Sequence, residues 1–371
     1  MTDPRIEKLA NLLVRYCIDV HPGERVLIIG SSAGLPLVTA TYREVMCAGG
    51  HPLLDWNEEA FTEILFEEGD EEQLRYIHEP VRHIYETYEA RINIAGARNT
   101  RSLSNVEPQR QRIRREARRE LLQTVMQRSA AGEMRWVTTI FPTHAQAQEA
   151  DMSLREYEAF VYGACHVDKP DPIAEWRQLS KKQQKLVEWL RSKDEVRVTG
   201  PHADLTLSIA GRTFINSDGR RNMPSGEIFT GPVEESVNGW VEFTYPAIYA
   251  GREVEGIRLR FEEGKVVEAS AKKNEAFLLD VLDTDPGARY LGEFAVGTNE
   301  GIDRFTKSIL FDEKIGGTIH MAVGAGYPET GSQNESAVHW DMICDMRDGG
   351  EIWVDGELFY DSGRFSILDG E

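Results

Sequence analysis

The sequence is short of basic residues: 42 Lys and Arg stand against 62 Asp and Glu, for a net charge of −20. A field of that sign repels nucleic acid and anionic membranes, whose binding needs clustered Lys and Arg to release counterions. The one basic run, Arg110–Glu120, is mixed with Glu and spreads round a predicted helix, so it reads as a solvated face. Long apolar runs are absent too. The longest resemble Val26–Ile29, far below the roughly 20 residues that cross a bilayer. Residues Met1–Leu13 form a mixed-charge amphipathic segment with no basic stretch ahead of an apolar core, and no signal peptide is expected. Cysteine is scarce: Cys17, Cys47, Cys165 and Cys344 are scattered, with no Cys-x-x-Cys pair. That excludes a disulfide framework and a thiolate metal cage, and implies reduced thiols in a cytoplasmic protein. Any metal must then be held by histidine and carboxylate. A phosphate-binding loop is also missing. Ile28–Gly34 has neither the full Gly-x-Gly-x-x-Gly spacing nor a Walker lysine, and reads as a tight turn from strand to helix.

What is present is an ordinary globular composition, 41% hydrophobic and 28% charged over 371 residues, enough for two domains. Up to about Lys193, helix and strand signals alternate. A helical pattern at Arg5–Ile18 leads to a strand at Arg25–Gly30. A helix from Leu35 stops at Gly49–Gly50, and His51–Trp56 supplies the next strand. An acidic helix around Glu58–Ile77, a strand at Ala90–Gly96, a charged helix at Glu107–Gln127 and a strand at Arg135–Pro142 continue the alternation. Helical signals at Leu154–Ala164 and Ile173–Ser192 close it. The expectation for residues 1–193 is an α/β domain on an open, mainly parallel sheet. From Val196 short alternating strands take over, with a hairpin at Glu263–Gly264 and one helix near Asn274–Asp283. Residues 194–371 are expected to form a β-rich α+β domain.

The dense polar punctuation lies in that second domain. Asn222–Pro232 packs Asn, Pro and Gly around Glu227, the composition of a turn-rich loop that can aim a carboxylate from a rigid scaffold. In Tyr290–Asn299, Glu293 sits inside an apolar stretch; a buried carboxylate needs a partner, and a cation is one. Two of the nine histidines fall in Gly317–Ile343. His320 lies in a predicted strand. In the next strand His339 and Asp341 are two apart, so they share a face while Trp340 points to the other. Each residue alone has a plain reading: a strand histidine is usually a hydrogen-bonded core residue, and a Glu beside Gly a loop carboxylate. Their coincidence in one domain sets a metal site beside that reading. Such a nitrogen and oxygen donor set suits zinc, cobalt, manganese or ferrous iron, and its carboxylates can bridge a pair of ions.

The segments Asn222–Glu227 (NMPSGE), Leu291–Val296 (LGEFAV), Gly317–Gly324 (GTIHMAVG) and Asn334–Asp341 (NESAVHWD), in this order, resemble the thermophilic metallo-aminopeptidase family, the aminopeptidase T/S group. HPGERVLIIG and AGGHPLLDW are similar to that family's first domain. The resemblance implies metal ligands at Glu227, Glu293, His320, His339 and Asp341, with Tyr327 beside the metals. It implies two divalent ions (zinc, cobalt or magnesium) in a cavity of the second domain of a homodimer, and peptides as substrates that lose N-terminal residues. Tyr327 and Glu293 are then the expected catalytic groups, the first at the oxyanion. The carboxylate that moves the proton is Glu293, Glu227 or Glu313. The link from Tyr327 to His339 is shorter than in the family's longer members, so substrate preference is expected to differ there. A mononuclear ferrous ring-cleaving dioxygenase, related to dihydroxypyridine dioxygenase, is distantly similar and keeps the His-x-Asp element. It is the alternative enzyme; an inactive metal-binding homologue is the alternative without catalysis.

Overall fold

The computed structural model describes residues 3–368. They divide into two compact units. One takes the chain through Glu175 together with Gly219–Pro224; the other takes Trp176–Asp218 and the chain from Ser225.

In the first unit, β1 (Arg25–Gly30), β2 (His51–Trp56), β3 (Ala90–Ala95) and β4 (Arg135–Ile140) form a parallel sheet in the order β2-β1-β3-β4. Asn222–Met223 adds a short parallel strand beyond β4. This is the open α/β sheet that the alternation implies. Val26, Leu27 and Ile28 are all buried, because helices on both faces of a parallel sheet cover both sets of side chains. The helix Leu35–Cys47 stops where Gly49 takes φ +82, a left-handed conformation that glycine adopts without strain. The acidic helix expected around Glu58–Ile77 is instead two, Glu59–Glu68 and Glu71–Arg75. Gly69 is extended, and Asp70 opens the second helix through a capping box with Gln73. The basic run is also less free than expected. On the helix Pro108–Ala130, Arg110 donates to the carbonyls of Phe66 and Gly69, and Arg114 to those of Leu74 and Tyr76. These guanidinium groups satisfy the ends of the two acidic helices. Among the described residues no helix is long and apolar enough to cross a membrane.

The second unit holds an eight-stranded sheet, edged by Lys265–Ser270 and Arg364–Phe365, and a five-stranded antiparallel sheet. The expected hairpin joins Arg258–Glu262 to Lys265–Ser270, with Glu263 and Gly264 both at positive φ, as a two-residue turn that follows the strand twist requires. The smaller sheet contains β5 (Ile215–Ser217), β6 (Glu227–Thr230), β7 (Leu291–Gly297), β8 (Thr318–Gly324) and β9 (His339–Asp345), in the spatial order β9-β8-β7-β6-β5. One core joins the two sheets, with Val198, Leu205 and Val241 from the larger and Phe294, Met321 and Met342 from the smaller. The helix Pro172–Leu190 gives Leu186, Val187 and Leu190 to the same core, so the unit boundary lies ahead of the break expected near Lys193.

Candidate metal centre

The five-stranded sheet has two faces of different chemistry. Phe294, Val296, Ile319, Met321, Trp340 and Met342 enter the core. The alternate residues point the other way, and that face carries Glu227 on β6, Glu293 on β7, His320 on β8, and His339 and Asp341 on β9. All five residues expected from the sequence are brought to one face. The register sets a small residue beside each: Gly297 opposite Glu227, Ala322 opposite both Glu293 and Asp341, Ala295 opposite His320, and Gly324 opposite His339. The space between the functional groups stays open as a result. Two glycines aim the carboxylates. A bulge between Leu291 and Glu293 turns the second strand position, and a Cβ on Gly292 would stand 2.2 Å from the Ala325 carbonyl oxygen. Ahead of Glu227, Gly226 takes φ +115, and a Cβ there would stand 2.6 Å from that of Asn299.

Glu293 lies between the two histidines, with Oε1 3.3 Å from His320 Nε2 and Oε2 3.4 Å from His339 Nε2. His339 Nε2 is 3.5 Å from Asp341 Oδ1, and His320 Nε2 is 3.7 Å from Glu227 Oε2. His339 Nδ1 donates to the Ala325 carbonyl at 2.7 Å, which orients the ring and leaves Nε2 toward the site. Glu293, His339 and Asp341 offer donor atoms within 4.8 Å of one another, and so do Glu313, His320 and Asp341. Asp341 belongs to both groups. His320 is 1% exposed while the His339 side chain is 29% exposed, so the site opens on the His339 side. Tyr327, just beyond β8, packs edge-on to the His339 ring at 5.2 Å between centroids and tilts against Phe229 at 5.5 Å.

Sequence reasoning names Glu313 only as a proton carrier and misses Lys314. Both reach the site. Lys314 is wholly buried, pairs with Glu313, and lies 3.7 Å from Glu227 Oε1. The segment from the short helix Ile309–Asp312 to β8 is a turn without periodicity, so only its nearness to His320 in the chain could have drawn notice.

Crowded charge shifts the titrations. Burial drives the His320 imidazole down, but Glu293 and Glu227 outweigh it and push it up to about 9. His339, opposed by burial in the same way, is raised to about 11 by Asp341 and Glu293. Burial would raise Glu293 and Asp341, yet the neighbouring imidazoles hold both below the usual carboxylate range. Burial lifts Glu313 to about 7 against the pull of Lys314. The Tyr327 hydroxyl is raised by burial and then by Glu293, so it stays protonated.

Divalent cations fit these residues. Glu227 Oε2, Asp341 Oδ1 and His320 Nδ1 are buried without a hydrogen-bond partner, an arrangement that is costly unless a further group completes it. The donors are imidazole nitrogen and carboxylate oxygen, the set that first-row divalent metals accept.

The sequence model of the thermophilic metalloprotease (M29) family matches residues 2–365. Aminopeptidase 2 of Geobacillus stearothermophilus is 29% identical over 385 residues, covering 93% of this chain and 93% of that protein. Among solved structures, wild-type AmpT from Thermus thermophilus matches with a TM-score of 0.85 at 23% identity, covering 98% of this chain and 99% of the other. The 2,5-dihydroxypyridine dioxygenase of Pseudomonas putida KT2440 matches with a TM-score of 0.59 at 12% identity, covering 100% and 99%. At those identities the two structural likenesses speak for the fold alone. The family match, which runs from the first helix through the whole of the site sheet, carries more: this chain belongs to the thermophilic metalloprotease (M29) family.

Proposed function

We propose that this protein is a metal-dependent aminopeptidase, a hydrolase that removes N-terminal residues from peptides at the site on β6 to β9. One observation carries the reading: in a chain of a metalloprotease family, five acidic and imidazole side chains meet on one sheet face with buried polar atoms left without a hydrogen-bond partner. Glu293, His339 and Asp341 would hold one divalent ion, and Glu227, Glu313 and His320, with Asp341 shared, a second. Zinc, cobalt and magnesium suit these donors. Such ions, when bound, lower the pKa of water toward neutrality and polarise a carbonyl. The remaining work falls to the side chains. The Tyr327 hydroxyl donates to the oxygen on which negative charge develops as the scissile carbonyl is attacked. Glu293, central between the histidines, takes a proton from the attacking water and passes it to the leaving amine nitrogen. The acidic surroundings pair with the free α-ammonium of the substrate.

The same reading places the protein in the cytoplasm as a homodimer, with no nucleic-acid or membrane partner. Leu53, Leu54 and Trp56 on the outer strand β2 are exposed, a surface that a second copy would cover.

Metal analysis of the purified protein, combined with a panel of aminoacyl anilides with and without cobalt, zinc and iron, tests the proposal. Two divalent ions per chain and hydrolysis abolished by a chelator are expected. One iron per chain with no anilide cleaved overturns it in favour of oxygenase chemistry. Metal content unchanged in Glu227→Ala and His339→Ala overturns the site.

A further inference from the structure

We propose that Lys314 is a positioning residue of this centre: its ammonium holds one oxygen each of Glu227 and Glu313 and so fixes how both carboxylates face His320. The inference rests on reading the site as a metal centre. Lys314 is 0% exposed, and a buried ammonium persists only where it is paired. Its Nζ pairs with Glu313 Oε1 and stands 3.7 Å from Glu227 Oε1. The other oxygen of Glu227, Oε2, is the one turned to His320, and it is buried with no hydrogen-bond partner. Glu313 also belongs to a donor group with His320 and Asp341. One cation therefore touches two carboxylates from separate parts of the chain, and each has a second role toward the same imidazole.

The backbone holds the lysine in place. Asp312, at the end of the short helix before it, accepts from the amide and the hydroxyl of Thr306 at 2.7 and 2.8 Å. The Lys314 amide donates to the Phe311 carbonyl at 2.9 Å, and its own carbonyl accepts from the Asn299 amide at 3.3 Å. The side chain of Asn299 donates in turn to the Ser225 carbonyl at 2.8 Å, two residues ahead of Glu227. Lys314 and Glu227 thus share an anchor. A free carboxylate rotates; a tethered one presents one chosen oxygen.

A positive charge near a cation site also repels the cation, so the sign of the effect separates alignment from competition. Alignment predicts weaker metal binding when the ammonium is lost; competition predicts tighter binding. The experiment is equilibrium dialysis of the metal-free protein, Lys314→Met and Lys314→Gln against buffered zinc, with ions per chain counted by mass spectrometry and metal-free stability measured by thermal melting. The unaltered protein should bind two ions. Lys314→Met, similar in volume but without donors, should weaken one of them by about 10–100-fold, the usual effect of losing a partner that orients a ligand, and leave the other nearly unchanged. Lys314→Gln, neutral but able to donate, should recover part of the loss. Lower stability with unchanged affinities marks a merely structural lysine, and affinities that rise in both variants mark a competing cation; either overturns the proposal. If the unaltered protein binds no zinc, the metal-centre reading itself falls. If neither variant folds, a crystal structure of the zinc-loaded protein decides. Nζ within about 3.2 Å of both carboxylates supports alignment, and Nζ bonded to neither refutes it.

Discussion

Loading the metal-free protein with zinc at pH 8 should release about two protons per chain from its histidines. His320 is pushed up to about 9 and His339 to about 11. At pH 8 the first is therefore about nine-tenths protonated and the second almost fully. A metal takes the neutral imidazole, so both protons must leave on binding. The sign for stability follows from the same shifts. Both folded-state values lie above the ordinary histidine value of 6.5, so their contribution to the metal-free fold is complete below that pH. It is lost as pH rises through about 9 for His320 and about 11 for His339. A rise from 6.5 to about 9 corresponds to about 3 kcal/mol for the buried His320. Metal-free protein should accordingly melt at progressively lower temperature between pH 7 and 9, while zinc-loaded protein, which carries neither proton, should not share that trend. Calorimetric titration in buffers of different ionisation enthalpy counts the protons. His339→Asn should lower the count by about one and His320→Asn by slightly less, which separates the imidazole protons from any released by water. A count unchanged in His339→Asn refutes the placement of that ring among the carboxylates.

Two further substitutions probe the chemistry and the scaffold. Tyr327→Phe should lower kcat by roughly 100-fold or more, the usual cost of one oxyanion donor, with metal content unchanged; a fall of less than about threefold refutes the hydroxyl as donor. Gly226→Ala adds a side chain at φ +115 and within 2.6 Å of Asn299, so it should destabilise by roughly 2–5 kcal/mol in urea unfolding and weaken metal binding through Glu227. A loss below about 1 kcal/mol means that this backbone is free to shift.

Much of the fold is legible because periodicity is local. LGEFAVG, TIHMAVG and HWDMICD each alternate core and functional residues, so the shared face of His339 and Asp341 can be read within one strand. Pairing between strands cannot. That Ala322 stands opposite both Glu293 and Asp341 depends on a register set by the bulge at Gly292 and by the core, and no spacing in the chain announces it. The acidic helix is misread for a related reason. A helical pattern tolerates one glycine, and only the Asp70–Gln73 capping box shows that the chain restarts after Gly69. The helix Pro172–Leu190 has one apolar face, and its sequence does not say which core receives it.

Lys314 is the hardest case, and charge explains why it matters. Counted formally as four carboxylates, Glu227, Glu293, Glu313 and Asp341 against one ammonium give three negative charges in a largely buried site. With both histidines protonated, one negative charge remains. Two divalent cations that displace those two protons leave one positive charge instead. The site stays within one charge of neutrality in either state, which is what a low-dielectric interior tolerates. Without Lys314 the metal-free state would carry one more negative charge, with its two outer oxygens unpaired. In this view the histidine protons hold the place of the metal, and the lysine keeps the metal-free site at one negative charge instead of two.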